Sequence, residues 1–114
     1  VFIPKSIWKK YKTINIHPSY LPEFRGPYPI HAALKAKKGY LGITISYITK
    51  KADSGNIIIR KKFLLSGAQR TFRKVYTLFL RKAPEIAEEA VKLVSEGYKG
   101  KPQKGKASYA YKSS

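Results

Sequence analysis

The feature that most constrains the fold is a short alternating segment that stops at a proline. The four residues before Pro18 read Ile-Asn-Ile-His. Side chains two positions apart on a strand point to the same face, so a strand here places Asn15 beside His17 and turns Ile14 and Ile16 toward a core. Pro18 has no backbone N–H and cannot continue a central strand. The pattern predicts a strand that presents an amide and an imidazole at the end of a sheet, where ligands bind.

Two further apolar segments flank a polar loop that carries one carboxylate. Residues 42–49 and 56–65 are rich in isoleucine and aromatic residues, which is typical of strands. Because the loop at 50–55 is short, we predict that the two strands form an antiparallel pair. The loop contains Asp53, in a chain with only six acidic residues. Asp53 either shapes the turn by bonding its own backbone or contributes a carboxylate to a site.

The rest of the chain predicts helices. A helix that opens with proline is expected at 4–12, and a second one at 29–38. Residues 70–82 and 83–96 carry apolar residues at helical spacing. Pro84 lies at their junction, so the sequence predicts a break or a first turn at that residue.

The length of 114 residues suits one domain with a modest core. We expect an α/β domain segment over residues 1–97. Residues 98–114 are rich in glycine, lysine and serine and predict a loosely held basic tail.

The composition narrows the possible sites and locations. The chain has no cysteine, two histidines and scattered acidic residues, so we expect no disulfide and no metal site. No apolar run is long enough for a transmembrane helix, and the first residues show no signal-peptide pattern. A cytoplasmic protein without a membrane partner fits these features. The sequence also contains no methionine, which favours a fragment or a processed chain.

The net charge is large and positive. With 24 basic and six acidic residues, the formal charge is +18. Such a charge favours binding to a polyanion such as tRNA. The basic residues are spread along the chain, however, and a lysine-rich solvated surface explains the same composition.

The ordered motifs resemble one known family over nearly the whole chain. The strand with Asn15 and His17 is followed by Pro-Ser-Tyr-Leu-Pro-Glu-Phe-Arg-Gly, then by a Gly-Ile-Thr-Ile strand, and then by Asp53 within Asp-Ser-Gly-Asn-Ile-Ile. This set looks like the folate-dependent formyltransferases, which transfer a formyl group from 10-formyltetrahydrofolate to an amine. A lone Asn-x-His would be a weak signal, but the ordered set is specific.

The resemblance implies a catalytic set and a fold. The family's Asn, His and Asp match Asn15, His17 and Asp53. An amide N–H and an imidazolium would stabilise the oxyanion that develops during formyl transfer, and a carboxylate would orient the imidazole. The fold implied is the C-terminal half of a formyltransferase domain, a mixed three-layer arrangement of sheet and helices. Most of the N-terminal, nucleotide-binding-type half is absent, so a missing half or a partner chain is expected to complete the site.

The resemblance also implies binding residues. In the family the loop that carries the Asp wraps the folate, and here two lysines could meet its carboxylate tail. The expected folate contacts are Ile3, Ile48, Thr49, Lys50, Lys51 and Asp53. The expected substrate contacts are Ser19, Leu21 and Arg25. Arg25 either holds an anionic group of the substrate or ties its loop to the protein body. Tyrosines near the motif could line a cleft, namely Tyr11, Tyr20 and Tyr28.

Several functions remain open at this point. The charge slightly favours the methionyl amine of initiator tRNA as the formyl acceptor, and the amine of a sugar nucleotide is the alternative. A third possibility is a non-catalytic basic fragment that binds nucleic acid.

Overall fold

The computed structural model describes residues 13–111. The predicted helix at 4–12, together with Ile3 and Tyr11, lies outside these residues. Within them the chain forms strands β1 (Ile14–His17), β2 (Tyr40–Tyr47) and β3 (Ile57–Leu64), and helices α1 (Pro29–Lys35) and α2 (Phe72–Ser95). A short 3₁₀ turn at Gly67–Gln69 precedes α2.

The strands form an antiparallel sheet in the order β1-β2-β3. β2 and β3 pair across the loop that carries Asp53, as the sequence predicted. β1 lies on the other side of β2, where Asn15 is opposite Ser46 and His17 is opposite Thr44. Because directly opposite residues share a face of the sheet, the polar side chains of β1 and β2 lie on one face together.

The other face of the sheet packs against the helices. Ile14 and Ile16 pack against the main core, so the predicted division of β1 into a polar and an apolar face is confirmed. The fold class is α/β, as expected, and the described sheet is antiparallel. The buried residues of the core come from the sheet and both helices: Ile30, Leu41, Ile43, Ile45, Ile58, Leu65, Val75, Phe79, Ile86 and Ala90.

Helix α2 continues through Pro84, where the sequence predicted a break. A proline inside a helix removes one backbone hydrogen bond and costs about 3 kcal/mol. The buried residues Val75, Phe79, Ile86 and Ala90 are four, seven and four positions apart, which keeps them on one face of a continuous helix. Burial of each large apolar side chain contributes about 1.5–3 kcal/mol. The free energy gained by burying this shared apolar face offsets the cost of the proline. The prediction of two helices is therefore wrong.

The loop after β1 covers the polar face of the sheet. Thr44 is fully buried and fastens this loop. Its hydroxyl donates to the Ser19 carbonyl at 2.7 Å and accepts from the Leu21 N–H at 3.1 Å. Gly42 lies directly beneath the loop, where a Cβ atom would approach the Tyr20 nitrogen to 2.2 Å. The sheet therefore lies between the helices and this loop.

The basic tail is fastened to the protein body, which differs from the loose attachment that its composition predicted. Lys101 exchanges two backbone hydrogen bonds with Ile57, at 2.7 and 2.9 Å. Nearer the end, the Ala110 N–H donates to the Arg25 carbonyl at 2.7 Å. These bonds use backbone groups, which every residue has whatever its side chain. Where the domain ends in sequence stays a prediction.

Candidate functional site

Three polar side chains from two segments meet at the end of the sheet. β1 supplies Asn15 and His17, and the loop between β2 and β3 supplies Asp53. Asn15 Nδ2 donates to Asp53 Oδ1 at 3.4 Å, and His17 Nδ1 lies 3.5 Å from the same oxygen. The side chains of His17 and Asp53 are only 7% and 12% exposed. The structure thus brings together the three residues that the sequence placed in one site, and their catalytic role stays a prediction.

The backbone at Asp53 turns the loop sharply back onto the sheet. Asp53 has a left-handed conformation with a φ of 56°, which aspartate tolerates better than most residues other than glycine. Gly55 then lies so close to β2 that a Cβ atom would approach the Tyr47 carbonyl oxygen to 1.7 Å. The Asp53 carboxylate bonds other segments of the chain, which favours its membership of a site over a role confined to its own turn.

The contacts of His17 fix its tautomer. Nε2 lies 2.9 Å from the Phe24 carbonyl oxygen. Because a carbonyl can only accept, Nε2 carries a proton and donates it. Nδ1 faces the Asp53 carboxylate, so both ring nitrogens have an acceptor when the ring is an imidazolium. Nδ1 is therefore the ring nitrogen that faces the site, beside the Asp53 carboxylate.

A closed set of hydrogen bonds surrounds Asp53, and we call it the Asp53 ring. The Gly26 N–H donates to Asp53 Oδ2 at 2.8 Å. Gln103 Nε2 donates to the backbone carbonyls of Asp53 at 2.7 Å and Gly55 at 2.9 Å. Gln103 Oε1 accepts from Arg25 Nε at 3.2 Å and from Arg25 Nη2 at 2.8 Å. The sequence predicted no site role for Gln103, because one amide in a tail of basic and small residues is a weak signal.

The residues predicted to contact folate lie mostly on the same loop as Asp53. Ile48 is half-buried, and its N–H donates to a carbonyl beside β1 at 2.9 Å. Thr49, Lys50 and Lys51 are exposed, so a ligand can reach them. The Thr49 hydroxyl donates to the Lys51 carbonyl at 3.1 Å, which tightens the loop. Contact between these residues and folate stays a prediction.

The residues predicted to contact the acceptor have other partners in the structure. Ser19 is buried and its hydroxyl donates to the Glu23 carbonyl at 2.6 Å, while Leu21 is fully buried. The Ser19 bond lies within the loop itself, and contact of either residue with a substrate stays a prediction. In addition to its bonds to the tail amide, Arg25 donates to the Tyr109 hydroxyl at 3.5 Å. The structure therefore shows Arg25 as a tie between loop and tail, and its contact with a substrate anion stays a prediction.

Two tyrosines that were expected to line a cleft make other ring contacts. Tyr20 lies beneath two cations, with the Arg60 guanidinium 4.2 Å and Lys62 Nζ 4.5 Å from its ring centre. Tyr28 makes an edge contact with His31, with 5.9 Å between the ring centres. Tyr20 thereby packs the loop against β3. A place in a cleft stays a prediction for both tyrosines.

Cationic groups gather where the tail meets the Asp53 loop. The hydrogen bond from Arg25, followed by the charge of Lys51, lowers the pKa of the exposed Tyr109 phenol. At the far end of β2, burial and a hydrogen bond to Glu23 raise the pKa of Tyr40 to about 12. The positive field on the tail side favours an anionic group on any ligand that binds there.

Two kinds of feature were not found in residues 13–111. No group of three or more His, Cys, Asp or Glu side chains in that range is arranged to hold a metal ion. No helix in the same range combines the length and the apolar character needed to cross a bilayer.

The sequence matches the family model described as formyl transferase over residues 2–91. The matched segment is 90 of the 114 residues. The chain belongs to the formyl transferase family. The resemblance inferred from the ordered motifs is therefore confirmed.

Named relatives include methionyl-tRNA formyltransferases. The protein from Borrelia garinii subsp. bavariensis is 37% identical over 91 residues, which are 80% of this chain and 29% of that protein. The protein from Ureaplasma urealyticum serovar 10 is 36% identical over 105 residues, which are 90% of this chain and 34% of that protein. The chain thus spans about a third of the length of the curated relatives it matches.

Two solved structures share the fold. HypX from Aquifex aeolicus superposes with a TM-score of 0.84 at 28% identity, over 96% of this chain and 20% of HypX. The formyltransferase PseJ from Anoxybacillus kamchatkensis superposes with a TM-score of 0.82 at 29% identity, over 97% of this chain and 59% of PseJ. PseJ was solved with UDP-4,6-dideoxy-4-formamido-L-AltNAc and tetrahydrofolate.

Proposed function

We propose that this chain carries the formyl-transfer site of an enzyme that moves a formyl group from 10-formyltetrahydrofolate to a primary amine. The observation that carries the proposal is the convergence of Asn15, His17 and Asp53 beside an exposed loop. Structures of HypX and PseJ contain tetrahydrofolic acid or tetrahydrofolate, which supports folate as the donor. We expect a further segment of the protein or a partner chain to complete the site, and the cytoplasmic location stays a prediction.

The residues present fit a folate donor. Lys50 and Lys51 are exposed beside the Asp53 loop and can pair with the carboxylates of a folate tail. The bound donor would supply an activated formyl carbon. No metal is needed for the chemistry, because the side chains described below provide both charge stabilisation and a proton carrier.

Asn15 would act on the negative charge that develops on the formyl oxygen, and His17 would act on the proton that moves from one nitrogen to the other. An amide nitrogen carries two hydrogens, so Asn15 can donate one to Asp53 and the other to the formyl oxygen, where negative charge develops. As the amine nitrogen bonds to the formyl carbon it loses a proton, and the departing nitrogen gains one. His17 Nδ1 can accept the first proton and release the second, while Asp53 stabilises the charged ring.

The acceptor we favour is the methionyl amine of initiator tRNA. The relatives named above are methionyl-tRNA formyltransferases, and a charge of +18 suits a polyanionic substrate. A sugar-nucleotide amine is the second candidate, because PseJ was solved with a formamido sugar nucleotide.

The test measures formyl transfer to each acceptor. The protein, together with the segment or partner chain expected to complete its site, is incubated with 10-formyltetrahydrofolate labelled in the formyl group and with methionyl initiator tRNA or a UDP-linked amino sugar. We expect label in the tRNA, and label in the sugar alone would select the second acceptor. Replacement of Asn15 or His17 by Ala should abolish the product. The matched controls are Asn56→Ala, whose amide donates to the Lys99 carbonyl, and His31→Ala.

The same experiment separates catalysis from simple nucleic-acid binding. RNA affinity of the Asn15 and His17 variants should stay close to that of the unmodified protein, because neither residue adds charge to the surface. If the protein binds RNA but no acceptor ever gains label, the non-catalytic alternative is correct and the proposed function is wrong.

A further inference from the structure

We propose that Gln103 is a positioning residue that holds Asp53 against His17. This inference rests on the proposed function, in which Asp53 stabilises the charged ring. Gln103 lies 50 residues from Asp53 in sequence, yet its amide bonds the backbone of the Asp53 loop directly. The side chain of Gln103 is half-buried. No bond from Gln103 to Asn15 or His17 is present among the described residues, so any effect on the reaction passes through Asp53.

The amide of Gln103 fixes the backbone on both sides of Ser54. The two hydrogens of Nε2 are donated to the carbonyls of Asp53 at 2.7 Å and Gly55 at 2.9 Å. Asp53 has a left-handed φ of 56°, a conformation that persists only when the surroundings favour it. The loop's own bonds involve Ser54, whose hydroxyl donates to the Lys51 carbonyl at 2.7 Å. Gln103 therefore attaches the backbone of this loop to the tail.

The orientation of the Gln103 amide is determined by its partners. Oε1 accepts two hydrogen bonds from the Arg25 guanidinium, at 3.2 and 2.8 Å. A flipped amide would place its NH₂ group against the guanidinium and its oxygen against two carbonyls. Both arrangements are repulsive, so Nε2 must face the Asp53 loop. Bonds to a charged donor are also stronger than neutral ones.

The Asp53 ring closes through two consecutive residues. Arg25 binds Gln103 through its side chain, and the next residue, Gly26, donates its N–H to Asp53 Oδ2 at 2.8 Å. Asp53 is therefore held at its backbone by Gln103 and at its carboxylate by Gly26. The contacts of Asp53 Oδ1 with Asn15 and His17 are 3.4 and 3.5 Å. These distances are near the limit for a hydrogen bond, so an outward shift of about 1 Å would lose both contacts and cost about 100-fold in rate.

The attachment of the tail does not depend on the Gln103 side chain. Lys101 exchanges backbone hydrogen bonds with Ile57, and Ala110 donates to the Arg25 carbonyl. Loss of the Gln103 amide should therefore leave the tail in place. A loss of activity in a protein whose tail is still attached would therefore indicate that Gln103 positions Asp53, and does not merely hold the tail.

The experiment compares Gln103→Ala and Gln103→Glu with a matched control. Glu keeps the length of the side chain and can still accept from Arg25, but it has no hydrogens for the carbonyls of Asp53 and Gly55. The control is Gln69→Ala, because Gln69 lies in the 3₁₀ turn before α2 and its Oε1 accepts from the Ser66 N–H at 2.9 Å. Thermal unfolding is measured for every variant as a check on folding.

Two readouts are measured for each variant. The first is the amide signal of Gly26 in proton–nitrogen correlation spectra, since this N–H reports on Asp53 Oδ2. The second is kcat and KM for formyl transfer. We expect both Gln103 variants to shift the Gly26 signal and to lower kcat by about 10–100-fold, with KM for the donor changed less than about threefold. The control should change neither readout.

Several results would overturn the inference. Normal kcat in Gln103→Ala would do so, as would a Gln103→Glu protein with unmodified kcat, because the donor half of the amide would then be dispensable. If the unmodified protein transfers no formyl group, the proposed function fails on its own. The Gly26 signal still decides the positioning in that case: a shift in both Gln103 variants supports it, and an unshifted signal contradicts it.

Discussion

The hydroxyl of Thr44 fastens the loop that carries Phe24 and Gly26, so its removal tests how the sheet supports the site. In Thr44→Val the hydroxyl becomes a methyl group of similar size. The Ser19 carbonyl and the Leu21 N–H, both bonded to this hydroxyl in a buried position, lose their partner.

The magnitude follows from the two groups left without a partner. Each costs about 1–3 kcal/mol, while the added methyl group returns about 0.8 kcal/mol. We expect a net loss of about 3 kcal/mol in the free energy of unfolding. For a domain of this size, that loss lowers Tm by more than about 10 °C.

Urea and thermal unfolding of Thr44→Val measure the loss, and hydrogen exchange at the Gly26 amide measures the effect on the site. The control is Thr77→Val. Thr77 lies on α2, and its exposed hydroxyl donates to the Arg73 carbonyl at 2.8 Å. The control should change stability by less than about 0.5 kcal/mol. A loss below about 1 kcal/mol in Thr44→Val, or unchanged exchange at Gly26, would contradict this account of the loop.

Two other perturbations test the fold. Replacement of the exposed Pro84 by Ala should stabilise α2 by about 2 kcal/mol, since the restored hydrogen bond exceeds the entropy lost from the proline, and a lower Tm would contradict a continuous helix. The pKa of Tyr40 is raised from 10.0 to about 12 by burial and by Glu23. The folded state therefore holds this proton more tightly, and its contribution to stability is present below pH 10 and lost as the pH rises toward 12. Urea unfolding at several pH values should show a smaller loss over that range in Tyr40→Phe, and equal losses in both proteins would refute the shift.

The alternation of residues in β1 predicted which of its side chains share one face, but it did not predict which strand β1 pairs with. Because side-chain direction alternates with a period of two, Ile14 and Ile16 had to face away from Asn15 and His17. The pairing of β1 with β2 depends on contacts about 30 residues apart, which no local pattern contains. The period of the side-chain alternation determines which face of a strand each residue occupies, and the length of a turn determines whether two strands can form a hairpin. Which strands lie next to each other depends on contacts across the whole chain.

The wrong and missed predictions have a common physical cause. Pro84 disfavours the interior of a helix, yet packing of the apolar face keeps α2 continuous. Gln103 has almost no preference for a particular secondary structure. Its side chain forms hydrogen bonds with residues 50 and 78 positions away in sequence. Local sequence cannot reveal an interaction whose energy depends on two distant segments meeting.

The link between Gln103 and the Asp53 loop has a consequence for biosynthesis. A ribosome makes the sheet and the long helix before it makes Gln103, so a nascent chain can bury most of its core before the Gln103 amide that fastens the backbone of that loop has been made. The site would then mature as the last step, after the scaffold is already folded. Ligand binding during translation would be delayed until the tail has left the exit tunnel and docked.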